Sequence, residues 1–207
     1  VVRVSVVVAI VCPEGAVLAC DSRETDANYN VTDDSRRKWA ESDKSASPRF
    51  IAAWTGALRG NKTQLAVEDI IDGVLRATPP PADVEEAAEG VCDALAAARD
   101  GSEGGTYVFI AGPSRSGNPV ELWYVEAPPN VVAATWRRHW GCLCKAHRGN
   151  DDVRTSLSAH DEWVRCVLCA LRLGEAQAVC RNAVTHVIDD IHVPSVGGSC
   201  TVLTVPV

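Results

Sequence analysis

The chain has 207 residues, of which 46% are apolar, and a formal net charge of -7. That length is most simply one domain spanning 1–207, and the apolar share can supply a sizeable core. The acidic balance, with no basic run to offset it, argues against a nucleic-acid-binding surface. No apolar run approaches the roughly 20 residues of a membrane-spanning helix. Aromatic residues are few and Met is absent, so small and β-branched side chains must do most of the packing. The nine cysteines are odd in number, and their spacing does not suggest a small secreted scaffold. They read as reduced, mostly buried thiols of an intracellular protein, and the expected location is the cytoplasm, with the nucleus left open. The start, Val1-Val2-Arg3-Val4, leads directly into a strand pattern, so no signal peptide is expected.

The first element is Ser5 to Arg23, two short apolar strands around a turn at Pro13-Glu14-Gly15. They are rich in Val, Ala and Ile with almost no polar alternation, which suits a hairpin buried on both faces. The second strand runs into Asp21-Ser22-Arg23, and unpaired buried charge is costly. A catalytic site at the head of the first strand would account for it. Strand character continues to about Gly56. A helix is expected over Asn61 to Arg76, with Leu65, Ile70, Ile71, Val74 and Leu75 on one stripe. Pro79-Pro80-Pro81 breaks the chain. Asp83 is a good N-cap, with Glu86 three residues on as in a capping box. The second helix runs to about Arg99 with Val84, Ala87, Val91 and Leu95 inward. Asp100 to Gly105 is a turn, and a hairpin follows with its bend at Ser114 to Pro119. A second helical pair is expected near Ser158 to Arg172 and Glu175 to Asp189, then a final strand. Strands, two helices, strands, two helices, strand is an α+β order. No internal repeat is present.

The opening hairpin resembles that of proteasome β-type subunits and of the bacterial peptidase HslV, both N-terminal nucleophile (Ntn) hydrolases. The family segment resembling "DG-V-V-L-A-A-D-S-R" reads here Glu14-Gly15-Ala16-Val17-Leu18-Ala19-Cys20-Asp21-Ser22-Arg23. Arg37-Lys38-Trp39 resembles the family's basic step, and Phe50 to Gly56 (FIAAWTG) its cleft-lining strand and Gly turn. Thr106 to Gly112 and Val120 to Val125 resemble the next strand pair. Leu173 to Val205 resembles the last helix, the Gly-Gly turn at Val196-Gly197-Gly198 and the closing strand. The ordered set covers about three quarters of the chain. The resemblance implies a four-layer αββα sandwich, with two stacked sheets between helix layers.

It also implies chemistry. In this family one residue supplies both the attacking hydroxyl and, through its own free α-amine, the base. A reference amine pKa of about 8 suits that work. The resemblance puts the nucleophile at Ser5, the orienting acid at Asp21 and the electrostatic partner at Lys38. Lys38 requires a one-residue insertion in the Asp26 to Ser35 loop; without it Arg37 takes the place. Thr25 and Gly56 would line a cleft for an extended peptide, with the Gly56 N–H as oxyanion donor.

Three features depart from the family pattern. Four residues precede Ser5, so its nitrogen is an amide, and Val4 stands where self-cleaving relatives carry Gly. The closing motif of an Asp, two residues, a Ser and Gly-Gly reads here Val193-Pro194-Ser195-Val196-Gly197-Gly198. The acid is replaced by Val193 and the hydroxyl by Val196, leaving His192, Asp190 or Ser195 as substitutes only after a local shift. Thr135 to His147 replaces a Gly/Ser-rich turn, with Gly141 and Cys142 the nearest candidates, and 135–161 is the most divergent segment. These departures favour a non-catalytic or degenerate ring component of a proteasome-like assembly in protein degradation. Its partners would be related subunits or further copies of itself. The alternative is an active peptidase or amidohydrolase that uses Ser5 once residues 1–4 are removed, acting on polypeptide.

Cys142, Cys144 and His147, with Cys166 and Cys169, have spacings that a zinc site can use. Trp163, Val167, Leu168 and Leu171 make the second pair's helix face look like core, so buried thiols are the better reading. No metal and no cofactor is expected, and a zinc-bearing interaction module is the remote alternative. Trp136-Arg137-Arg138-His139-Trp140 is a basic aromatic cluster that reads as an interface or covered loop rather than a nucleobase platform.

Overall fold

The computed structural model describes residues 5–26, 28–43, 46–57, 59, 62–98, 105–115, 119–127, 135–139, 142–146, 171–191 and 195–207. For 135–139, 142–146 and 191 it describes the backbone alone. In chain order the strands β1 (Val6–Cys12), β2 (Gly15–Cys20), β3 (Glu24–Thr25), β4 (Val31–Asp33), β5 (Trp39–Glu41) and β6 (Ile51–Gly56) come first. Helices α1 (Val67–Leu75) and α2 (Val84–Ala98) follow, then β7 (Thr106–Pro113), β8 (Val120–Ala127), β9 (Thr135–His139) and β10 (Cys142–Ala146). Helix α3 (Leu173–His186), a π-helical turn (Val187–Ile191) and β11 (Thr201–Pro206) complete the described elements. The class is α+β. None of the described helices is long and apolar enough to cross a membrane.

Three antiparallel sheets form: β10-β1-β2-β11, the short pair β3-β4, and β5-β6-β7-β8-β9. The period-two geometry of strands divides their side chains between different cores. Val7, Ala9, Leu18 and Cys20 of one large sheet meet Ile51, Ala53, Phe109, Leu122 and Tyr124 of the other in an inter-sheet cluster. Val6, Val8, Ile10, Val17 and Ala19 face α3. Ala52, Trp54, Val108, Ile110 and Trp123 face α1 and α2. The expected double-sided burial of the first hairpin follows, because both faces of β1 and β2 have an apolar partner. The inter-sheet cluster is built largely from Ala, Val and Leu, around stacked Tyr107 and Tyr124 rings 6.2 Å apart.

Several elements differ from expectation. Helix α1 begins at Val67 rather than Asn61, because Gln64 takes φ 59 and Ala66 is still extended. Leu65 therefore leaves the stripe and is exposed, while Ile70, Ile71 and Leu75 are buried. At α2, the Asp83 carboxylate accepts the Glu86 N–H at 2.9 Å, but Glu86 reaches back to the Ala82 N–H at 2.8 Å rather than to Asp83. The four inward positions Val84, Ala87, Val91 and Leu95 are all buried. Within the segment expected to diverge, 135–139 and 142–146 are strands: β9 extends the five-stranded sheet beside β8, and β10 lies along β1. The helix expected at Ser158 to Arg172 falls almost wholly outside the described residues.

Candidate functional site: a buried Ser–Asp–Lys cluster

The ends of β1 and β2 meet at the site. Antiparallel pairing of β1 with β2 puts Val7 opposite Cys20, so the residues just beyond, Ser5 and Asp21, emerge side by side. The Asp21 N–H donates to Val6 O at 3.3 Å, and the Val6 N–H donates to Asp21 Oδ1 at 3.1 Å. Lys38 enters from the other sheet, one residue before β5. Its carbonyl accepts the Trp54 N–H of β6 at 3.1 Å.

The three side chains converge. Ser5 Oγ donates to Asp21 Oδ1 at 2.6 Å. Lys38 Nζ donates to Ser5 Oγ at 2.5 Å and to Asp21 Oδ2 at 3.2 Å. Its third donor goes to the Arg23 carbonyl. Ser5, Asp21 and Lys38 are only 3%, 1% and 2% exposed, so water does not screen their charges and their geometry is fixed by one another. Five donors reach the Asp21 carboxylate: the Ser5 hydroxyl, the Lys38 ammonium and the N–H groups of Val6, Arg23 and Gly197. This is how the buried charges are tolerated. Beside them, burial pushes the Cys20 thiol up and the Asp21 charge adds to the effect. Cys20 keeps its proton and donates weakly to the Lys38 carbonyl at 3.7 Å.

Arg37 and Lys38 point in opposite directions. Arg37 turns outward, with Nε on Trp39 O at 2.7 Å and Nη2 on Asp72 at 2.9 Å, while its guanidinium lies 4.7 Å from the Trp39 ring. Lys38 turns inward. Gly56 ends β6 with φ 101, and a Cβ there would fall 2.0 Å from the Gly105 carbonyl oxygen, so only glycine fits. Thr25 is buried on β3, and its side chain makes no hydrogen bond to Ser5, Asp21 or Lys38.

Some participants are not evident from the sequence. Thr55 Oγ1 donates to the Ser5 carbonyl at 3.4 Å, from the inter-sheet face of β6. It is the only hydroxyl in Phe50 to Gly56, a signal available in the sequence. Gly197 contributes its N–H at 3.3 Å to Asp21 Oδ2, and no side-chain pattern announces a backbone donor. The proposed substitutes in the closing run fare unevenly. Val196 is buried and packs in the α3-facing core, so it brings no polar group. Asp190 is taken by His186 at 2.5 Å. Ser195 is 1% exposed, and among the described residues its Oγ has no hydrogen-bond partner. His192 and Val193 lie outside the described residues. Cys142 sits opposite Ile10, at the far end of β1 from Ser5, and is thereby removed as a candidate beside the hydroxyl. Gly141 lies outside the described residues, as do His147, Cys166 and Cys169 of the candidate zinc set. Among the described residues no group of three or more His, Cys, Asp or Glu is placed to hold a metal ion.

No family model matches the sequence, and no curated protein sequence matches it. The fold matches solved structures. A mutant of Anbu from Hyphomicrobium sp. strain MC1 superposes with a TM-score of 0.69 at 18% identity, covering 98% of this chain and 81% of that one. Anbu from Yersinia bercovieri, described as an ancestral beta-subunit, gives 0.66 at 14% identity over 97% and 81%. Another structure of the Hyphomicrobium protein gives 0.66 at 17% identity over 97% and 82%. These findings correct the resemblance to proteasome β-type subunits and HslV drawn from the sequence. The matched structures are Anbu proteins, related to the proteasome but distinct from those two groups. At such identities the likeness establishes the fold alone.

Proposed function

We propose that this chain is a proteasome-related subunit of the Anbu kind that carries a latent amide-hydrolase site, with Ser5 Oγ as nucleophile. One observation carries the reading: the Ser5 hydroxyl is buried between a carboxylate and an ammonium, at 2.6 Å and 2.5 Å. A strand residue without a task has no need of two buried charges. The layering that fits the three apolar clusters is helix, sheet, sheet, helix, formed by one domain over the whole chain.

In the working form, Ser5 Oγ adds to a substrate carbonyl carbon and its proton passes to the Ser5 α-amine. The amine hands that proton to the departing nitrogen, and water then cleaves the ester left on Ser5. All three Lys38 donors are engaged, so Lys38 acts by its charge, stabilising negative charge that develops on Oγ, and Asp21 holds both partners in place. Gly56 N–H is the donor for the oxyanion, and Thr25 lines the path of an extended peptide. With Val4 attached, Ser5 has an amide nitrogen and the base is missing, so the site is silent. As a subunit of that kind, the chain would assemble with copies of itself or with related chains.

The test pairs intact mass with hydrolysis of fluorogenic peptides. Protein that retains residues 1–4 should be inactive. Protein beginning at Ser5 should hydrolyse peptides, and Ser5→Ala should abolish this. A Ser5-first protein with no activity on any peptide or amide would favour the second reading, a purely structural ring component. Val196, standing where a hydroxyl is expected, is the observation that supports that second reading.

A further inference from the structure

Arg23 and Asp34 are an ion pair that touches neither Ser5 nor Lys38 through its side chains, yet it grips the loop that serves Asp21. Arg23 Nε meets Asp34 Oδ1 at 2.6 Å and Nη2 meets Oδ2 at 3.3 Å, a two-pronged fork. Arg23 Nη1 donates to the Val196 carbonyl at 3.4 Å. The guanidinium lies so close over Gly197 that a Cβ on that residue would fall 2.3 Å from Arg23 Cζ. Ser22 stitches the same pieces together. Its N–H donates to Gly197 O at 3.2 Å, its Oγ donates to Asp34 O at 2.5 Å, and its Oγ accepts the Ser199 N–H at 2.8 Å.

We infer that Asp34 is a positioning residue: by fixing the Arg23 guanidinium over Gly197 it locks the 195–199 loop, and so holds the Gly197 N–H on Asp21 and Asp21 against Ser5. The inference rests on the reading of Ser5 as nucleophile. The physical case is the planarity of guanidinium. A fork on a carboxylate fixes the plane as well as the position of the cation, and a flat group pressed on a glycine leaves the loop little room to lift. Asp34 itself is about half exposed, its side chain 52% accessible, so its substitution leaves the core alone. The expected consequence is selective. Thr25 and Gly56, which line the proposed peptide path, lie on other elements, so loosening the loop should slow attack at Ser5 and spare peptide binding.

The experiment uses the full subunit beginning at Ser5, as wild type, Asp34→Asn and Arg23→Lys. Arg23→Lys keeps the charge and loses the fork. Three quantities are read: hydrogen exchange of the Gly197 amide, kcat and KM for a fluorogenic peptide, and the melting temperature. Asp34→Asn should speed Gly197 exchange and lower kcat about tenfold or more, since small displacements of reacting groups carry losses of that order. KM should stay within about twofold, and Arg23→Lys should follow the same pattern. Unchanged Gly197 exchange would overturn the inference. So would faster exchange with unchanged kcat, or a rise in KM equal to the loss in kcat. If the wild type itself is inactive, the functional reading falls separately. The Gly197 amide then decides the locking, and slow exchange in both variants would overturn it.

Discussion

Residues 37 and 38 are both basic and adjacent, and they have opposite surroundings. Arg37 lies over the Trp39 ring at the protein edge and pairs with Asp72, its side chain 35% accessible. Lys38 is inside, its side chain 2% accessible, facing an Asp21 side chain with no accessible surface. The two ion pairs have similar lengths, 2.9 Å and 3.2 Å. Length therefore does not rank them; solvent does. A half-buried pair still in reach of water gains little over its hydrated partners. A buried pair gains little net over an apolar replacement of both, but losing one member strands a charge. A buried pair of this kind is a poor stability device, and its place beside a hydroxyl is what supports the proposed site.

The largest expected effect breaks the inner pair. Lys38→Met should cost about 3–5 kcal/mol in denaturant unfolding, because Asp21 is left charged and unpaired. A loss under about 1 kcal/mol would mean that water reaches the cluster, and the contrast with Arg37 would vanish. Next comes Gly56→Val, which combines a left-handed backbone with a carbonyl 2.0 Å from the new Cβ. It should cost at least about 1–3 kcal/mol, and Ser5 chemistry should fall with it. Unchanged stability and unchanged ligand behaviour would remove Gly56 from the cleft.

A third expectation concerns pH. Burial pushes the Cys200 thiol up to about 11, and Cys20 is raised as well. An acid whose folded value is raised holds its proton in the fold after the unfolded chain has lost it. Stability should therefore fall as pH rises from about 8.5, the unfolded thiol value, towards about 11. Alkylation of Cys200 at pH 8, followed by peptide mapping, should run roughly a hundredfold slower than for a free thiol. Rapid modification in the folded state would contradict this burial. The smallest effect is at the surface. Arg37→Ala should change stability by no more than about 1 kcal/mol, and a larger loss would show that the outer pair is not the weak member.

The sequence exposed the strands more readily than the loops that finish the site. A hairpin packed on both faces has apolar runs on either side of its turn, and Val6 to Cys12 and Ala16 to Cys20 show them. Asp21, at the end of the second run, is conspicuous as charge in an apolar setting. In the sequence Lys38 competes with Arg37, because a loop insertion shifts the register by one and charge type alone does not settle direction. Gly197 acts through its backbone, which composition does not record. Helix α1 starts at Val67 rather than Asn61 because Gln64, an ordinary helix former, takes a left-handed conformation. The strands at 135–139 and 142–146 mix basic and polar residues with apolar ones and lack the apolar runs that mark β1 and β2; among the described residues each lies at a sheet edge.

The most direct measurement is covalent labelling of the Ser5-first protein by a peptidyl fluorophosphonate, read by peptide mass. A single adduct on Ser5, much reduced in Lys38→Met at a temperature where that variant remains folded, is the result expected of a hydroxyl activated between Asp21 and Lys38. A folded, Ser5-first protein that takes no label at Ser5, or labels equally fast with and without Lys38, would contradict it.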